Sequence, residues 1–299
     1  MTEPLFSAIV VTFRTGPILR DCLTALSQDP ALDEIIVIDN GNPAPDRKWL
    51  DAVAREDARI TLLRPGRNLG FAAACNRGAV MARGRFLAFV NPDLLLPANA
   101  LTTLLPLFDA GDVWMCGGRL KNPDGSEQRG SRRETLTPWR AFVELMRLDR
   151  LAPSHPYFRR LHLMDEPPPA EIIEVPAISG AFMMMPRERF AALGGFDETM
   201  FLHAEDLDLC LRTLLAGGRI LYHHGVELYH QRSTSDVPAV FVEWHKTRSV
   251  CRYFHKHFRQ VYPAWSLHIL STLLWFRFLL VILPAGAADL RRLTGRERK

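Results

Sequence analysis

The chain has 299 residues, 47% of them hydrophobic, enough for one large domain with its own core plus an appendage. Its formal net charge of +4 is too small to argue for a nucleic-acid surface, and no nucleic-acid motif accompanies it. The five cysteines (Cys22, Cys75, Cys116, Cys210, Cys251) are scattered without a CxxC pair, which argues against a disulfide frame or zinc site and for reduced thiols in a cytosolic setting. The opening MTEPLF shows no basic-then-apolar leader pattern, in keeping with that expectation.

The first element is Phe6 to Thr12 (FSAIVVT), an apolar β-branched run of the kind found in buried parallel strands. Pro17 then opens a helix with Leu19, Cys22, Leu23 and Leu26 on one face. Glu34 to Asp39 (EIIVID) reads as a second buried strand ending in an acid. A helix over Asp46 to Asp57, a strand over Ile60 to Leu63 and a small-residue helix over Ala72 to Met81 follow. Phe86 to Val90 (FLAFV) is a fourth strand, ending at Asn91-Pro92-Asp93, and Pro97 begins a helix striped by Leu101, Leu104, Leu105 and Phe108. Strands alternating with helices predict an α/β fold with a mostly parallel sheet and right-handed crossovers. Ligands on such sheets bind beyond the carboxyl ends of the strands, so Asp39 and Asp93 are expected to face one crevice.

The stretch from Ser179 to Arg212 is the most informative. A Gly-Gly-Phe-Asp-Glu turn (Gly194 to Glu198) precedes Glu205-Asp206-Leu207-Asp208, which opens an apolar-striped helix. Carboxylates packed this closely raise one another's pKa unless a cation or helix N-terminus offsets them. Such a cluster is either a plain helix cap or a site for a general base or a metal–phosphate neighbour.

Taken in order, IVVTF (Ile9 to Phe13), IVIDNGN (Ile36 to Asn42), NLGFAAACNRG (Asn68 to Gly78), FVNPD (Phe89 to Asp93), SGAFMM (Ser179 to Met184), GGFDE, FLHAEDLDLCLR (Phe201 to Arg212) and His230 with Ser233 resemble the family-2 glycosyltransferases, inverting enzymes of the GT-A fold. The likeness is greatest to the bacterial rhamnosyltransferase-like branch that builds polysaccharides and lipid-linked glycans, and covers roughly residues 5–260. Asn-Pro-Asp or Glu-Asp alone is a weak signal; the ordered set is a specific one.

The resemblance implies a nucleotide-sugar site formed by Thr12, Asp39, Asn68, Gly70, Asn91 and Asp93. Asp39 corresponds to the acid that accepts hydrogen bonds from the base; its plainer reading is a strand-end turn residue. Gly70 permits close backbone approach before a helix N-terminus that favours anions, though a simple cap has the same pattern, and Arg64 and Arg67 stand near enough to add charge. Where the family carries Asp-x-Asp, this chain has Asn91 before Asp93. The resemblance makes Asp93 the charged ligand of Mg or Mn bridging the donor diphosphate; the alternative is an Asn-Pro-Asp turn. His230 corresponds to a residue that reaches the cation or diphosphate, or is a half-buried histidine. Asp206 corresponds to the general base that takes the acceptor hydroxyl's proton, with Glu205 second and Gly180 beside the acceptor; Asp208 is expected to pair with Arg212 at i,i+4.

The family commonly has a small polar residue at Arg14 and Tyr at His203. Between Lys121 and Glu171 lie Arg129, Arg132, Arg133, Arg140, Arg147, Arg150, Arg159 and Arg160, ending in Pro167-Pro168-Pro169: either a flap suited to a phosphorylated acceptor or a solvated insertion. Trp139, Trp244 and Trp265 suit stacking on sugar or lipid, or core packing. Val240 to Phe258 is amphipathic and basic. Ala264 to Leu283 nearly reaches the roughly 20 residues of a membrane span, interrupted by His268 and Arg277 and followed by Arg291, Arg292, Arg296, Arg298 and Lys299. A buried arginine costs about 3 kcal/mol on insertion scales, and a spanning run would place the basic tail outside. An interfacial or re-entrant helix is therefore expected, with packing on the domain or a subunit interface as the soluble alternative.

The resulting expectation is a GT-A domain over 1–236 (1–120 binding nucleotide-sugar, 121–236 acceptor and catalysis) and a helical, membrane-associating extension over 237–299. It is expected to act at the cytoplasmic face of the inner membrane as a metal-dependent inverting glycosyltransferase. The expected donor is dTDP-L-rhamnose or another UDP- or dTDP-sugar, and the acceptor a lipid-linked saccharide or polysaccharide. A nucleotidyltransferase and an inactive scaffold homologue are the alternatives.

Overall fold

A computed structural model describes residues 5–151, 155–158, 160–164, 171–231 and 235–296, with 284–296 as backbone only. Arg159, Pro167 to Pro169, Arg232, Ser233, Arg298 and Lys299, and the side chains of Arg291, Arg292 and Arg296, lie outside the described residues.

The first half follows the predicted alternation: β1 (Phe6–Thr12), α1 (Ile18–Ser27), β2 (Glu34–Asp39), α2 (Ala44–Glu56), β3 (Ile60–Leu63), α3 (Phe71–Met81) and β4 (Phe86–Val90). Leu19, Cys22, Leu23 and Leu26 of α1 are all buried, as their spacing requires. After β5 (Leu94–Leu95), the helix expected from Pro97 is α4 (Ala100–Leu104), which tightens into a 3₁₀ turn reaching Ala110. The second half holds β6 (Val113–Lys121), β7 (Arg132–Arg133), α5 (Pro138–Met146), β8 (Ile172–Glu174), β9 (Ala177–Ile178), β10 (Phe182–Pro186), α6 (Arg187–Ala192), α7 (Glu205–Leu215), β11 (Arg219–His230), α8 (Ala239–Phe258) and α9 (Ala264–Arg296).

The main sheet has the order β3-β2-β1-β4-β10-β6-β11-β5, with β8 on β11. β1, β2, β3 and β4 are mutually parallel; β10 runs against both β4 and β6, and β11 runs with β6. So β1, β2, β3, β4, β6 and β11 share one direction, and β5, β8 and β10 oppose it. Side chains alternate across the sheet: Phe6, Ala8 and Val10 join a core with α1 and α4, whereas Ile9 and Val11 join one with α3, α7 and α8. Burying each of these phenylalanine, valine and isoleucine side chains contributes roughly 1.5–3 kcal/mol. The register Thr12↔Asp39, with Val10 opposite Val90, brings the carboxyl ends of β1, β2 and β4 to one edge.

Helices α8 and α9 form a hairpin. One face of the apolar run of α9 packs on the domain: Leu267, Leu270 and Phe278 are buried, and Leu267 and Leu270 share a core with Tyr253 and Phe254 of α8. Arg277 reaches Glu243 of α8 at 3.0 Å, and Trp244 packs against Trp275 with ring centroids 4.8 Å apart. The opposite face exposes Trp265, Ile269, Phe276, Leu279, Leu280 and Leu283. Over 264–283 the mean hydropathy is 1.9, long and apolar enough to cross a membrane. Helix α8 also packs toward the loop before α7: His245 stacks on Phe201 at 4.2 Å, and Ser249 Oγ donates to the Leu202 carbonyl at 3.0 Å.

Candidate active site

The edge at the carboxyl ends of β1, β2 and β4 is built by three loops. The first closes β2. Asp39 Oδ1 accepts from the Asn42 backbone N–H (2.9 Å) and Asn42 Nδ2 (3.0 Å), and Oδ2 accepts from Arg64 Nε at 3.1 Å. Asp39 thus shapes its Asp-Asn-Gly-Asn turn, as the plainer reading expected, and Oδ2 keeps a second acceptor position. Arg64 is committed to Asp39 and Asp51. Thr12 is buried, its hydroxyl 3.0 Å from that of Thr15 and donating to Asn42 Oδ1 at 3.3 Å.

The second loop precedes α3. Asn68 Oδ1 accepts from Asn40 Nδ2 and the Gly70 N–H, both at 2.9 Å, and Asn40 Oδ1 accepts from Leu69 N–H at 3.0 Å. Asn40 therefore ties the end of β2 to this loop. Gly70 has φ +82°, and a Cβ there would lie 2.5 Å from the Phe201 carbonyl oxygen. The close approach that needs this glycine is the backbone of the 201 loop, whose carbonyl accepts from Phe71 N–H. Further along α3, Asn76 bonds both backbone groups of Phe196, which fastens the Gly-Gly-Phe-Asp-Glu turn to the helix.

The third loop follows β4. Asn91 N–H donates to the Ala181 carbonyl at 2.9 Å, so this loop lies against Ser179-Gly180-Ala181. The β5–β11 pairing sets His230 opposite Leu94, and His230 Nε2 lies 3.1 Å from Asp93 Oδ1 and 3.3 Å from Asn91 Nδ2. Gln128 Nε2 donates to the carbonyl oxygen of His230 (3.1 Å) and to Asn122 Oδ1 (3.2 Å), which fixes its amide orientation. Gln128 Oε1 then faces His230 Nδ1 at 2.6 Å and assigns the proton to Nδ1. The Nε2 lone pair is left facing a carboxylate oxygen. Two acceptors at that separation call for a proton or a cation between them, so the donor set fits a hard-to-borderline divalent ion.

The acid cluster sits across the 179–181 segment. His203 and Ala204 both adopt left-handed backbone, φ 64° and 65°, immediately before α7. Such conformations cost of order 1–3 kcal/mol each and concentrate at functional sites. Asp206 Oδ2 accepts from Arg133 Nη2 at 2.6 Å and from the Gly180 N–H at 2.9 Å, while Oδ1 accepts from Leu207 N–H at 2.8 Å. A Cβ on Gly180 would lie 2.9 Å from the Asp206 Cβ, so only glycine lets this backbone N–H reach the carboxylate. Burial pushes the Asp206 carboxyl up, but the Arg133 charge and these hydrogen bonds outweigh it and hold Asp206 below the usual range. Glu205 is pushed the other way, to about 8, by burial and by the Asp206 charge. Asp208 is fully buried and pairs with Arg212 as the i,i+4 spacing predicted, and also with Lys256 and His257 of α8.

The structure therefore joins Asn91, Asp93 and His230, and links them through 179–181 to Gly180 and Asp206. Thr12 and Asp39 adjoin across paired strands, with Asn68 and Gly70 attached through Asn40. Sequence reasoning passed over Asn40, Gln128 and Arg133. Asn40 stood inside a quoted motif, and Arg133 was one arginine among many. Nothing local marked Gln128.

The family profile described as glycosyl transferase family 2 matches residues 7–189. An uncharacterized protein of Sinorhizobium fredii is 30% identical over 205 residues, 68% of this chain but only 21% of that protein's length. An N-acetylglucosaminyl-diphospho-decaprenol L-rhamnosyltransferase of Mycobacterium tuberculosis is 28% identical over 267 residues, 79% of this chain and 78% of that protein. Among solved structures, a mannosyltransferase from Pyrobaculum calidifontis in complex with GDP-Man and Mn2+ superposes with a TM-score of 0.58 at 16% identity, covering 98% of this chain and 76% of the other.

Proposed function

The chain belongs to glycosyl transferase family 2, and we propose that it is a metal-dependent inverting glycosyltransferase that moves a sugar from a nucleotide donor to a lipid-linked or polysaccharide acceptor. The observation that carries this reading is the convergence of Asp93 and His230, 137 residues apart in sequence, at 3.1 Å on the strand-end edge. The likeness to the mycobacterial rhamnosyltransferase makes dTDP-L-rhamnose the first donor to test and a diphospholipid-linked saccharide the first acceptor.

In this reading Thr12, Asp39, Asn68 and Gly70 line the nucleotide side, and Asp39 Oδ2 accepts from the base. Asp93 and His230, with Asn91 beside them, would hold Mg or Mn, which would neutralise the charge of the leaving diphosphate. Gln128 keeps His230 Nε2 unprotonated and aimed at that position. Asp206, ionised at neutral pH, accepts the proton of the attacking hydroxyl near Gly180. Glu205, neutral at the same pH, is unsuited to that task, which separates the two candidate acids. Displacement then occurs in one step from the face opposite the diphosphate, with inversion at the anomeric carbon.

The exposed face of α9 is read as an interfacial contact with the cytoplasmic leaflet. Arg277 is drawn onto Glu243 of α8, so its charge does not interrupt the outer apolar face. Thermal-shift screening of dTDP-L-rhamnose, UDP-sugars and GDP-mannose with Mn or with chelator tests the donor reading, because a ligand bound only by the folded state raises its stability. Stabilisation by none of them, or equal stabilisation under chelator, refutes metal-dependent donor binding.

A further inference from the structure

The arginines of the segment following Lys121 are largely committed to acids of the same segment: Arg129 to Glu144, Arg132 to Glu127, Arg140 to Glu134 and Arg160 to Asp149. Arg133 differs, because its acid is Asp206, on α7. Its backbone is locked on both sides. β7 pairs with β9 through Arg133↔Ala177, and an isolated bridge joins Arg133 to His162. The guanidinium is buried; Nη2 donates to the Ile178 carbonyl as well as to Asp206, and Nε has no hydrogen-bond partner among the described residues.

We propose that Arg133 is the positioning residue for Asp206: it fixes the carboxylate toward Gly180 and keeps it ionised, so that the seating of the inserted segment sets the state of the acid on α7. The proposal rests on the reading of Asp206 as the base. The ionisable groups that interact with Asp206 are Arg133 from β7, His203 from the preceding loop, Glu205 and Cys210 on α7, and Tyr253 from α8, and Asp208 acts on Glu205. Asp208 is neutralised by Arg212, Lys256 and His257, and Glu205 adds negative charge when it ionises. Among the described residues, Arg133 is the cation in direct contact with Asp206. Without it, burial and neighbouring acids would leave the carboxyl favouring its neutral form.

The test uses full-length protein carrying aspartate labelled with carbon-13 at the carboxyl, with Asp206→Asn identifying the Asp206 resonance by its loss. The variants are Arg133→Met, Arg133→Gln, which keeps a donor for Ile178 and Asp206 if the methionine variant does not fold, and Arg133→Lys. Protection by dTDP with Mn against thermal unfolding serves as the folding control. In the uncharged variants the titration midpoint should rise by at least about one pH unit, a tenfold change in acidity, with the lysine variant between them and wild type. The acid limb of Mn-dependent dTDP-L-rhamnose or UDP-N-acetylglucosamine hydrolysis should move with it. A midpoint unchanged in Arg133→Gln overturns the proposal, and so does lost turnover with an unmoved acid limb. If Asp206→Asn retains turnover while Arg133→Gln still displaces the resonance, the base assignment falls and the Arg133–Asp206 relation stands.

Discussion

Glu205 and Asp206, adjacent at the start of α7, are held in opposite charge states. Asp206 receives Arg133, Gly180 and Leu207, whereas Glu205 Oε2 is buried without a hydrogen-bond partner among the described residues. Two acids that share one negative charge form a coupled pair, and their partners decide which of them carries it.

This asymmetry makes stability depend on pH with a fixed sign. Glu205 titrates near 8 in the fold against 4.5 as its ordinary value, so the folded chain holds a proton that the unfolded chain releases. The contribution of a neutral Glu205 is fully present below pH 4.5 and is lost as pH rises through 8. Glu205→Gln should therefore leave Tm close to wild type at pH 4.5 and raise it relative to wild type at pH 9. A Tm difference that is flat across this range would remove Glu205 from the account.

Asp206→Asn should lower turnover by about 10²–10⁴-fold, because the acceptor hydroxyl loses its proton acceptor, while dTDP protection with Mn stays near wild type. Steady-state rates with a competent donor check the first part and thermal shift the second. Near-normal turnover would return the role to Glu205 or dismiss the mechanism.

Gln128 never touches the ion position directly, yet Gln128→Leu should weaken Mn-dependent nucleotide binding about 10–100-fold, the usual cost of removing a group that orients a ligating histidine. Asp93→Asn should weaken binding with Mn and change little with chelator. Titrating Mn against dTDP protection reads both. Identical Mn curves for Gln128→Leu and wild type would show that His230 does not ligate.

Asp208 clamps α7 to α8 through Lys256 at 2.6 Å and His257 at 2.7 Å. Asp208→Asn should destabilise the fold by about 3–5 kcal/mol, the cost of breaking a buried pair. Burial raises this carboxyl but His257, Arg212 and Lys256 lower it further, so the stability it supplies is present at neutral pH and lost as pH falls through the depressed value. Denaturant unfolding of wild type and variant from pH 7 down to pH 2 measures both: the deficit should persist at pH 4 and shrink as pH falls below 3.8, the ordinary value of the group.

Truncating after Pro263 is a poor test of membrane binding, because Leu267 and Leu270 belong to the core shared with α8. Substituting the outer face is cleaner. Phe276→Asp with Leu280→Asp should abolish flotation with anionic liposomes while Tm in detergent-free buffer changes little, since both side chains are exposed. Undiminished flotation would move the contact elsewhere, and a soluble dimer broken by the same substitutions would make the face a subunit interface.

The sequence by itself determined the local elements and the family. β1, β2, β3 and β4 coincide with short apolar runs, and the buried stripe of α1 with a 3.6-residue spacing, because strand and helix periodicities are written in neighbours a few residues apart. It also placed Asp39, Asp93 and Asp206 at element ends. Only the tertiary structure decided which groups act on them. Gln128 lies 102 residues from His230, and Arg133 lies 73 residues from Asp206. Those pairings depend on the β6–β11 register, with Gln128 tied to Leu120 of β6, and on β7 docking against β9, which no local pattern encodes. The same holds for α9, whose stretch over 264–283 reads by composition as one nearly membrane-length run. Packing against α8 divides it into a buried face and an exposed one, because a helix contacting one neighbour can hide only the side chains on that side.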